Sequence, residues 1–302
     1  MPQAEATRLF EAHRPRLVRL AYRMLGSLSE AEDVVQDAWL RWQRVELAGV
    51  DAPGSYLSRI VTRLCLDVMK SARARRETYV GPWLPEPLVE GLSMTDEAPD
   101  ADDLTLTLMM ALERLSPLER AAFLLHDVFG VPLDDVATTL ERAPASVRQL
   151  AVRARQHVRD ARPRYPVAED EGSRLAQAFF AASRSGDVAA LGELLAQDVV
   201  LRSDGGGRVL AFRNPILGLQ KVARLFGRLA TKHPHQDDGL LRFATIDGLP
   251  GFISRERGGV VQTTALAITE GRISEIYITR NPDKLDRLVA ALALEAPVAG
   301  HG

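Results

Sequence analysis

Cysteine, aromatic residues and long apolar runs are all scarce in this sequence of 302 residues. Its single cysteine, Cys65, excludes an intramolecular disulfide and a cysteine-rich metal site within these residues. Because Cys65 lies in an apolar stripe with helical spacing, we expect a small buried hydrophobe rather than a reactive thiol. No run of about 18 uncharged apolar residues occurs, and residues 1–10 lack the apolar core of a secretory signal, so we expect a cytoplasmic protein.

Signatures of several enzyme classes are also missing. The sequence contains no glycine-rich phosphate loop, no zinc-ligand spacing and no nucleophile motif. We therefore predict no catalytic residue, no metal site and no cofactor. The chain is nevertheless long enough for two or three domains, and its 46% hydrophobic content is typical of a folded protein.

The net charge of −2 hides blocks of opposite sign. Ser55–Arg76 contains six Lys or Arg against one acid, and Arg142–Arg164 contains seven Arg against one acid. The acidic blocks are Ser27–Asp37, with four acids, and Glu86–Asp103, with seven. Because local patches govern binding to nucleic acid, the two basic tracts are candidate DNA contacts despite the acidic total. Segregated blocks also indicate separate partners.

Hydrophobic periodicity divides the chain into four parts. We predict a helical domain over 1–76, an acidic proline-rich linker over 77–103, a second helical domain over 104–164 and an α+β domain over 165–302. In the first domain we expect helices near Leu9–Met24, over Glu30–Trp42 and from Pro53 onward, with Ser29 capping the second.

The predicted α+β domain begins with helices and continues as a mainly antiparallel sheet. We expect helices near 173–183, 188–196 and 218–230, and strands near 199–203, 209–212, 240–246, 252–255, 260–269 and 272–279.

A helix-turn-helix unit is the most specific local signal. Ser116 to Glu119 has the composition of a capping box, and later helices are predicted over 133–140 and 144–159. On the last helix we expect Val147, Leu150, Ala151 and Ala154 to face the core. The outward side chains, where a recognition helix meets base edges and phosphates, are Ser146, Arg148, Gln149, Val152, Arg153 and Arg155. The alternative is a solvated basic face on a structural helix.

The other basic tract contains Arg63, Lys70, Arg73, Arg75 and Arg76. Tyr56 and Tyr79 bracket it, so a single strand can be held by stacking and phosphate contacts. The alternative is a basic helix end that complements the helix dipole.

The acidic helix offers Glu32, Asp33 and Asp37 beside Trp39 and Trp42. An aromatic surface with a polar rim suits a protein partner. Burial of the tryptophans in the bundle is the alternative, and we expect it for Trp39 more than for Trp42.

Three segments resemble the sigma-70 family of transcription factors. Ala31–Leu40 is similar to the helix of region two that binds the polymerase clamp, Tyr56–Asp67 to the segment that melts and reads the −10 element, and Leu115–Arg159 to region four, which reads the −35 element. Segments similar to regions one and three are not recognised, and in this the sequence resembles the extracytoplasmic-function group. The resemblance implies clamp contacts at Glu32, Asp33, Gln36, Asp37 and Leu40, and −10 contacts at Arg59, Arg63, Lys70, Arg73, Arg75 and Arg76.

A narrower resemblance, to members with a fused SnoaL-like domain, is carried by three short motifs. Their residues are Trp83, Leu84, Pro85, Glu86 and Pro87; Asp204, Gly205, Gly206, Gly207 and Arg208; and Asn281, Pro282, Asp283, Lys284 and Leu285. The resemblance implies core RNA polymerase (clamp and flap) and promoter DNA as partners. It also implies that the C-terminal domain regulates the factor in cis, with no dedicated anti-sigma protein.

The C-terminal domain also leaves an enzyme or a small-molecule sensor open, with the helical part as a DNA anchor. Acid-base candidates are Asp204, His233, His235, Asp247 and Tyr277, but their spacing defines no dyad. The fold of such domains encloses a cavity, so a small bound ligand is a further alternative.

Overall fold

The computed structural model describes residues 2–77, 79–92, 105–159, 168–232 and 239–295. These residues form two compact units. The helical unit contains 2–77 and 108–159, and the C-terminal unit contains 79–92, 105–107, 168–232 and 239–295. The two predicted helical domains therefore lie in one unit. Residues 79–92 of the predicted linker belong to the C-terminal unit, whereas residue 77 belongs to the helical unit.

Three long helices form the first part of the helical unit. They are α1 (Pro2–Leu25), α2 (Leu28–Trp42) and α3 (Pro53–Glu77), with a 3₁₀ turn at Leu47–Gly49. Apolar residues at helical spacing, such as Leu17, Leu20 and Leu57, are buried. The prediction that Ser29 caps α2 is wrong. Ser27 is the cap, because its Oγ accepts a hydrogen bond from the Glu30 amide.

Four further helices form the second part: α4 (Leu106–Leu112), whose first two residues belong to the C-terminal unit, α5 (Pro117–Phe123), α6 (Leu133–Leu140) and α7 (Pro144–Arg159). The predicted capping box is confirmed, since the Glu119 amide donates to Ser116 Oγ and the Ser116 amide donates to Glu119 Oε2. After Phe123 the chain continues as a π-helical turn over Leu124–Val128. The predicted bounds of α6 and α7 are confirmed.

A buried arginine joins the two parts of the helical unit. Arg120 is 1% exposed, and its Nη1 donates to the Met24 carbonyl at 2.6 Å and to Glu113 Oε1 at 2.7 Å. Its Nε donates to the Leu112 carbonyl at 2.9 Å. A guanidinium removed from water needs such acceptors on several sides, so Arg120 holds the end of α1 against the α4–α5 turn.

The C-terminal unit is a six-stranded sheet with helices. In chain order its elements are α8 (Glu169–Ser185), α9 (Val188–Leu194), β1 (Leu195–Asp204), β2 (Ile216–Leu217), α10 (Leu219–Lys232), β3 (Leu240–Ile246), β4 (Leu249–Arg255), β5 (Val261–Thr269), β6 (Arg272–Thr279) and α11 (Pro282–Glu295). The strand order is β2-β1-β6-β5-β4-β3. The β1–β6 pair is parallel and the other pairs are antiparallel.

Two features of this unit differ from the sequence prediction. Residues 209–212 are not a strand but part of an irregular loop, and the short strand β2 follows at 216–217. The helix α11 was not predicted, although Leu285, Leu288 and Ala291 are buried at helical spacing after Pro282.

The core of the C-terminal unit lies between the sheet and its helices. Phe179 and Phe180 of α8, Leu201 of β1 and Phe252 of β4 are buried in one apolar cluster. The rings of Phe180 and Phe252 meet edge to face, 5.0 Å between centroids. In the part of the chain that the structure describes, no helix has the length and apolarity needed to cross a bilayer.

Candidate functional site

The end of strand β1 places a fully buried carboxylate where several donors converge. Asp204 is 0% exposed. Its Oδ1 accepts from Tyr79 Oη at 2.6 Å and from the Gly206 amide at 2.9 Å, and its Oδ2 accepts from the Leu84 amide at 2.9 Å. Lys284 Nζ lies 2.8 Å from Oδ2. Because a buried carboxylate needs compensation on every side, Asp204 fixes Tyr79 and Leu84 of the linker segment to the sheet.

Lys284 is the cation of this site and also packs on aromatic rings. Its Nζ lies 4.1 Å from the ring centroid of Trp83 and 5.2 Å from that of Tyr79. The same Nζ donates to the Leu84 carbonyl. Only 12% of the Lys284 side chain is exposed, so the ion pair and the cation–π contacts act in surroundings with little water.

Asn281 completes the site from the start of α11. Its Nδ2 donates to Tyr79 Oη at 3.0 Å, and its Oδ1 accepts from the Asp283 amide at 3.2 Å. Burial and the hydrogen bond to Asp204 raise the pKa of the Tyr79 hydroxyl well above its usual range. Tyr79 therefore stays protonated and donates to Asp204 at any physiological pH.

The glycine loop after Asp204 fits only without side chains. A Cβ at Gly205 would lie 2.2 Å from the Val209 carbonyl oxygen. Gly206 has a φ of +62°, and a Cβ there would lie 2.4 Å from the Asn281 amide group. Gly207 faces Val80. The loop is thus packed against both Asn281 and the linker segment.

The next residues of the linker pair with the β3–β4 turn. The Leu88 amide donates to Asp247 Oδ1 at 3.1 Å, and the Asp247 amide donates back to the Leu88 carbonyl at 2.8 Å. Val89 forms an antiparallel bridge with Ile246, and the Glu90 amide donates to the Thr245 carbonyl at 3.0 Å. The segment adds itself to the edge of the sheet, as peptides do in β-augmentation.

The remaining motif residues lie around this contact. Leu84, Pro85, Glu86, Pro87 and Leu285 are buried. Glu86 Oε1 lies 3.8 Å from Arg287 Nε. Arg208 and Asp283 form an exposed pair at 3.3 Å, which contributes little to stability. The three motifs recognised in the sequence thus form one contact, which we call the linker-docking site: Tyr79–Glu90 with Asp204–Arg208, Asp247 and Asn281–Arg287.

In the helical unit, the residues assigned to the −35 element lie on the outer face of α7. Val147, Leu150, Ala151 and Ala154 are buried, as predicted from their spacing. The partly or fully exposed side chains are Ser146, Arg148, Gln149, Val152, Arg153 and Arg155. Arg153 Nε lies 2.9 Å from Glu119 Oε1, and Arg155 Nε lies 2.6 Å from Asp127 Oδ1. Arg148 and Gln149 occupy the first turns of the helix, the position of base-reading residues.

The −10 candidates are distributed along α3. Arg59 is half-buried, whereas Arg63 and Lys70 are exposed. Arg63 Nη2 pairs with Glu141 Oε1 at 2.9 Å, and its Nε donates to the Thr139 carbonyl at 3.2 Å, so it contacts the turn between α6 and α7. Lys70 pairs with Asp67. The side chains of Arg73, Arg75 and Arg76 lie outside the described residues.

The aromatic bracket around this tract stays a prediction, and in the free protein each of its two rings has another partner. Tyr56 packs against Trp42, 5.9 Å between ring centroids. Tyr79 belongs to the linker-docking site. There its hydroxyl donates to Asp204.

The polymerase candidates share the solvent face of α2. Asp33, Gln36, Asp37 and Leu40 are exposed and Glu32 is half-buried. The prediction that Trp39 is more buried than Trp42 is wrong. Trp42 is 0% exposed and its Nε1 donates to the Ala6 carbonyl at 2.9 Å, whereas Trp39 is only half-buried, against Phe10. The N-terminal extension of α1 supplies that acceptor and covers Trp42.

Comparison with known proteins identifies the helical unit first. The family Sigma-70 region 2 matches residues 9–75, and the family Sigma-70, region 4 matches residues 105–158. The chain is 36% identical over 288 residues to the ECF RNA polymerase sigma factor SigJ of Mycobacterium tuberculosis, covering 91% of each chain. It belongs to the ECF sigma factors. The probable ECF sigma factor SigI of M. tuberculosis is 33% identical over 289 residues, which cover 94% of this chain and 96% of SigI.

The likeness extends to three dimensions and through the C-terminal unit. The crystal structure of M. tuberculosis SigJ aligns with a TM-score of 0.74 at 33% identity, covering 92% of this sigma factor and 97% of that chain. The ECF sigma factor described here thus has region 2, region 4 and a C-terminal SnoaL-like domain, as the sequence resemblance indicated. Its function lies in promoter recognition and transcription initiation.

Among the described acid-base candidates of the C-terminal domain, Asp204, Asp247 and Tyr277 each have separate partners and form no common site. Asp204 accepts a hydrogen bond from the Leu84 amide of the linker, and Asp247 accepts one from the Leu88 amide. Tyr277 donates to Glu275 at 2.5 Å. His233 and His235 lie outside the described residues. Sequence reasoning missed Tyr79 and Asp247 as linker contacts. For Tyr79, its place four residues before Trp83 was an available signal.

Proposed function

We propose that this sigma factor reads the −35 element with α7 and the −10 element with the basic face of α3. It binds the polymerase clamp through the exposed face of α2, and region 4 contacts the flap. The C-terminal domain is not an enzyme but a regulator in cis, so that the cytoplasmic factor needs no dedicated anti-sigma protein. The observation that carries the regulatory part is the saturation of buried Asp204 by the linker and Lys284.

The reach of the linker supplies the mechanism. The −10 and −35 elements are separated by roughly 25 base pairs, or about 85 Å at 3.4 Å per base pair. A linker of 27 residues, the length of 77–103, reaches at most about 90 Å when extended. Docking of residues 79–92 fixes 14 of them to the C-terminal unit and leaves 13, about 43 Å of extended length at roughly 3.3 Å per residue, free to extend. The docked linker therefore restricts how far the two promoter contacts can separate, and the released linker does not.

The tethered arrangement makes modest contacts sufficient. Because the linker and its docking site belong to one chain, binding is intramolecular and takes place at a high effective concentration. A change of a few kcal/mol in docking then moves the factor between docked and released populations. The sign we propose is inhibition by docking.

The experiment is run-off transcription with purified core polymerase and a cognate promoter, using the full chain. Asp204→Asn removes the charge that holds Lys284 while keeping the shape of the side chain. Asp198→Asn is the matched control, because Asp198 is an exposed residue of the same strand. We expect more transcript from Asp204→Asn and no change from the control. Equal yields from all three proteins would contradict regulation through the linker.

The DNA contacts are tested separately. Arg148→Ala and Gln149→Ala remove exposed side chains from the first turns of α7, so we expect weaker promoter binding with no loss of fold. Asp37→Ala should weaken binding to core polymerase while leaving binding to DNA unchanged. Unaltered transcription in all three variants would remove these residue assignments and leave the linker proposal standing.

A further inference from the structure

The C-terminal domain encloses a cavity of about 520 Å³. Its walls are mostly apolar and include Phe179, Leu201, Phe226, Phe252 and Ile278. Leu210 lines the cavity and is nevertheless 88% exposed, so the cavity opens to solvent beside it. Binding pockets for small molecules have volumes of roughly 300–1,000 Å³ and are largely apolar with a few placed polar groups. The cavity has the size and surface of such a pocket.

One side of the cavity is charged, and its charges do not balance. Arg184, Glu256 and Arg280 are the charged residues among those that line it. Glu256 is fully engaged, because Arg184 donates two hydrogen bonds to its carboxylate, at 2.7 and 3.0 Å, and Ser254 donates a third at 2.9 Å. The described residues of the lining thus include two cations, Arg184 and Arg280, and one carboxylate, Glu256, which already accepts three hydrogen bonds.

Arg280 is the second cation of the lining, and Glu256 forms its ion pair with Arg184 instead. Its Nε is buried and has no hydrogen-bond partner among the described residues. Burial lowers the pKa of its guanidinium against the attraction of Glu256, which shows that the charge is held in surroundings unfavourable to it. A planar guanidinium binds a carboxylate with parallel hydrogen bonds, and such a partner would balance the excess charge of the lining. Because burial closes Nε off from the cavity, a hydrogen bond from Nε to that partner requires a movement of the Arg280 side chain.

We propose that the cavity binds a small molecule with an apolar body and a carboxylate, anchored by Arg280. Binding rather than turnover is the simpler use of this lining, since Glu256, the one carboxylate among the described residues that line the cavity, is held in the Arg184 pair. Asp204, Asp247 and Tyr277 are not among the described residues that line the cavity.

The cavity is connected to the linker-docking site by its own wall. Ser203 lines the cavity and the next residue, Asp204, holds the linker. The Arg280 amide donates to the Asp204 carbonyl at 2.8 Å. On the loop side, Phe212 lines the cavity. Its carbonyl oxygen would lie 3.4 Å from a Cβ added to Gly81, so the loop and the linker are in close contact. Movement of Arg280 or of the 209–212 loop on binding therefore alters linker docking, an inference that rests on the proposed function.

The test is calorimetric titration of the full-length sigma factor, without polymerase or DNA. The probes are decanoate and naphthalene-2-carboxylate, each compared with its neutral amide. We expect at least one acid to bind about tenfold or more tightly than its amide, because a charged hydrogen-bonded pair is lost in the amide. Absence of binding by both acids, or equal binding of acid and amide, would overturn the proposal.

Variants locate the site. Arg280→Met keeps an unbranched apolar stem and removes the guanidinium with its charge, so it should abolish the preference for the acid. Arg255→Met is the control, since Arg255 is exposed at the end of strand β4 in the same sheet and is not among the described residues that line the cavity. An unchanged preference in Arg280→Met would overturn the anchor. Should that variant not fold, the comparison of acid with amide on the unaltered chain still decides the question.

The coupling between the cavity and the docked linker is tested by a separate measurement. The Leu84 amide donates to Asp204, so its hydrogen-exchange rate should change severalfold when the acid that binds in the titration is added. Unchanged exchange at saturation would overturn the coupling. Since the titration uses no transcription, a failure to bind acid would leave regulation by the linker standing. Conversely, acid binding by a factor whose transcription ignores Asp204→Asn would leave the cavity site standing.

Discussion

Each unit of the molecule buries a charged side chain, and the two are used differently. In the helical unit, Arg120 donates to the carbonyls of Met24 and Leu112 and pairs with Glu113. In the C-terminal unit, Asp204 accepts from Tyr79 and Leu84 of the linker and pairs with Lys284. Arg120 holds folded helices together, whereas Asp204 holds a connecting segment that has no helix or long strand of its own.

The difference concerns what is lost when the charge is removed. Helices packed around Arg120 are parts of one cooperative core, so its loss is felt by the whole unit. The segment held by Asp204 is attached by a few contacts to an otherwise complete sheet. Local opening there costs less than global unfolding, which suits a contact that is to be made and broken.

The largest effect is expected for Arg120→Ala. The substitution takes the Arg120 donors away from Glu113 and from two carbonyls, and breaking a buried charged pair in this way costs about 3–5 kcal/mol. We expect a loss of that size in the free energy of unfolding, measured by urea titration. Arg114→Ala, at an exposed position in the same segment, is the control and should change it by about 0.5 kcal/mol or less. Equal effects of the two variants would contradict the role assigned to Arg120.

A smaller and more local effect is expected for Lys284→Met. The substitution removes the cation beside Asp204 but keeps apolar contact with Trp83 and Tyr79. Since hydrogen bonds to charged groups contribute about 1.5–3 kcal/mol, the Leu84 amide should exchange roughly 10- to 100-fold faster. Amides of the sheet core, such as that of Ile276, should keep their protection. Loss of protection throughout the sheet would show that Lys284 supports the fold rather than the docking.

A double-mutant cycle sharpens this second result. Asp204→Asn and Lys284→Met together should cost less than the sum of the single changes, because neither leaves a buried charge behind when both are present. Additive effects on Leu84 exchange would mean that the two side chains do not act as a pair.

Local patterns predicted the elements well where their signals are local. The bounds of α6 and α7 and the capping box at Ser116–Glu119 follow from periodicity, proline and cap composition within a few residues. The strands β3 to β6 follow from runs of branched and aromatic residues. The helix α11 was missed although Pro282 and the spacing of Leu285, Leu288 and Ala291 contain its signal.

Partners distant in sequence were beyond such reasoning. Leu84 and Asp204 are 120 positions apart, and no periodicity relates them. The motifs suggested that these segments belong together, but not that Tyr79 and Asp247 complete the contact. Likewise, burial of Trp42 depends on the Ala6 carbonyl, supplied by a part of α1 that precedes the predicted helix.

The smallest effect is expected at the ion pair between Arg63 and Glu141. Both side chains are exposed, 43% and 72%, so the pair should contribute about 0–1 kcal/mol. Glu141→Gln should therefore leave the urea midpoint almost unchanged, in contrast to Arg120→Ala. It should, however, release Arg63 from its carboxylate, and we expect severalfold tighter binding of single-stranded −10 DNA at low salt, measured by fluorescence anisotropy.

This last variant separates two interpretations of the helical unit. If Arg63 is a DNA contact whose charge is shared with Glu141 in the free protein, the gain in affinity should shrink as salt is raised, because phosphate contacts are screened. Arg63→Met should then remove the gain in the double variant. A gain that persists in Arg63→Met would mean that Glu141 acts simply as a repelling acid. In that case Arg63 would not be a DNA contact, which favours the alternative that the sequence left open for this tract, a basic helix end that complements the helix dipole.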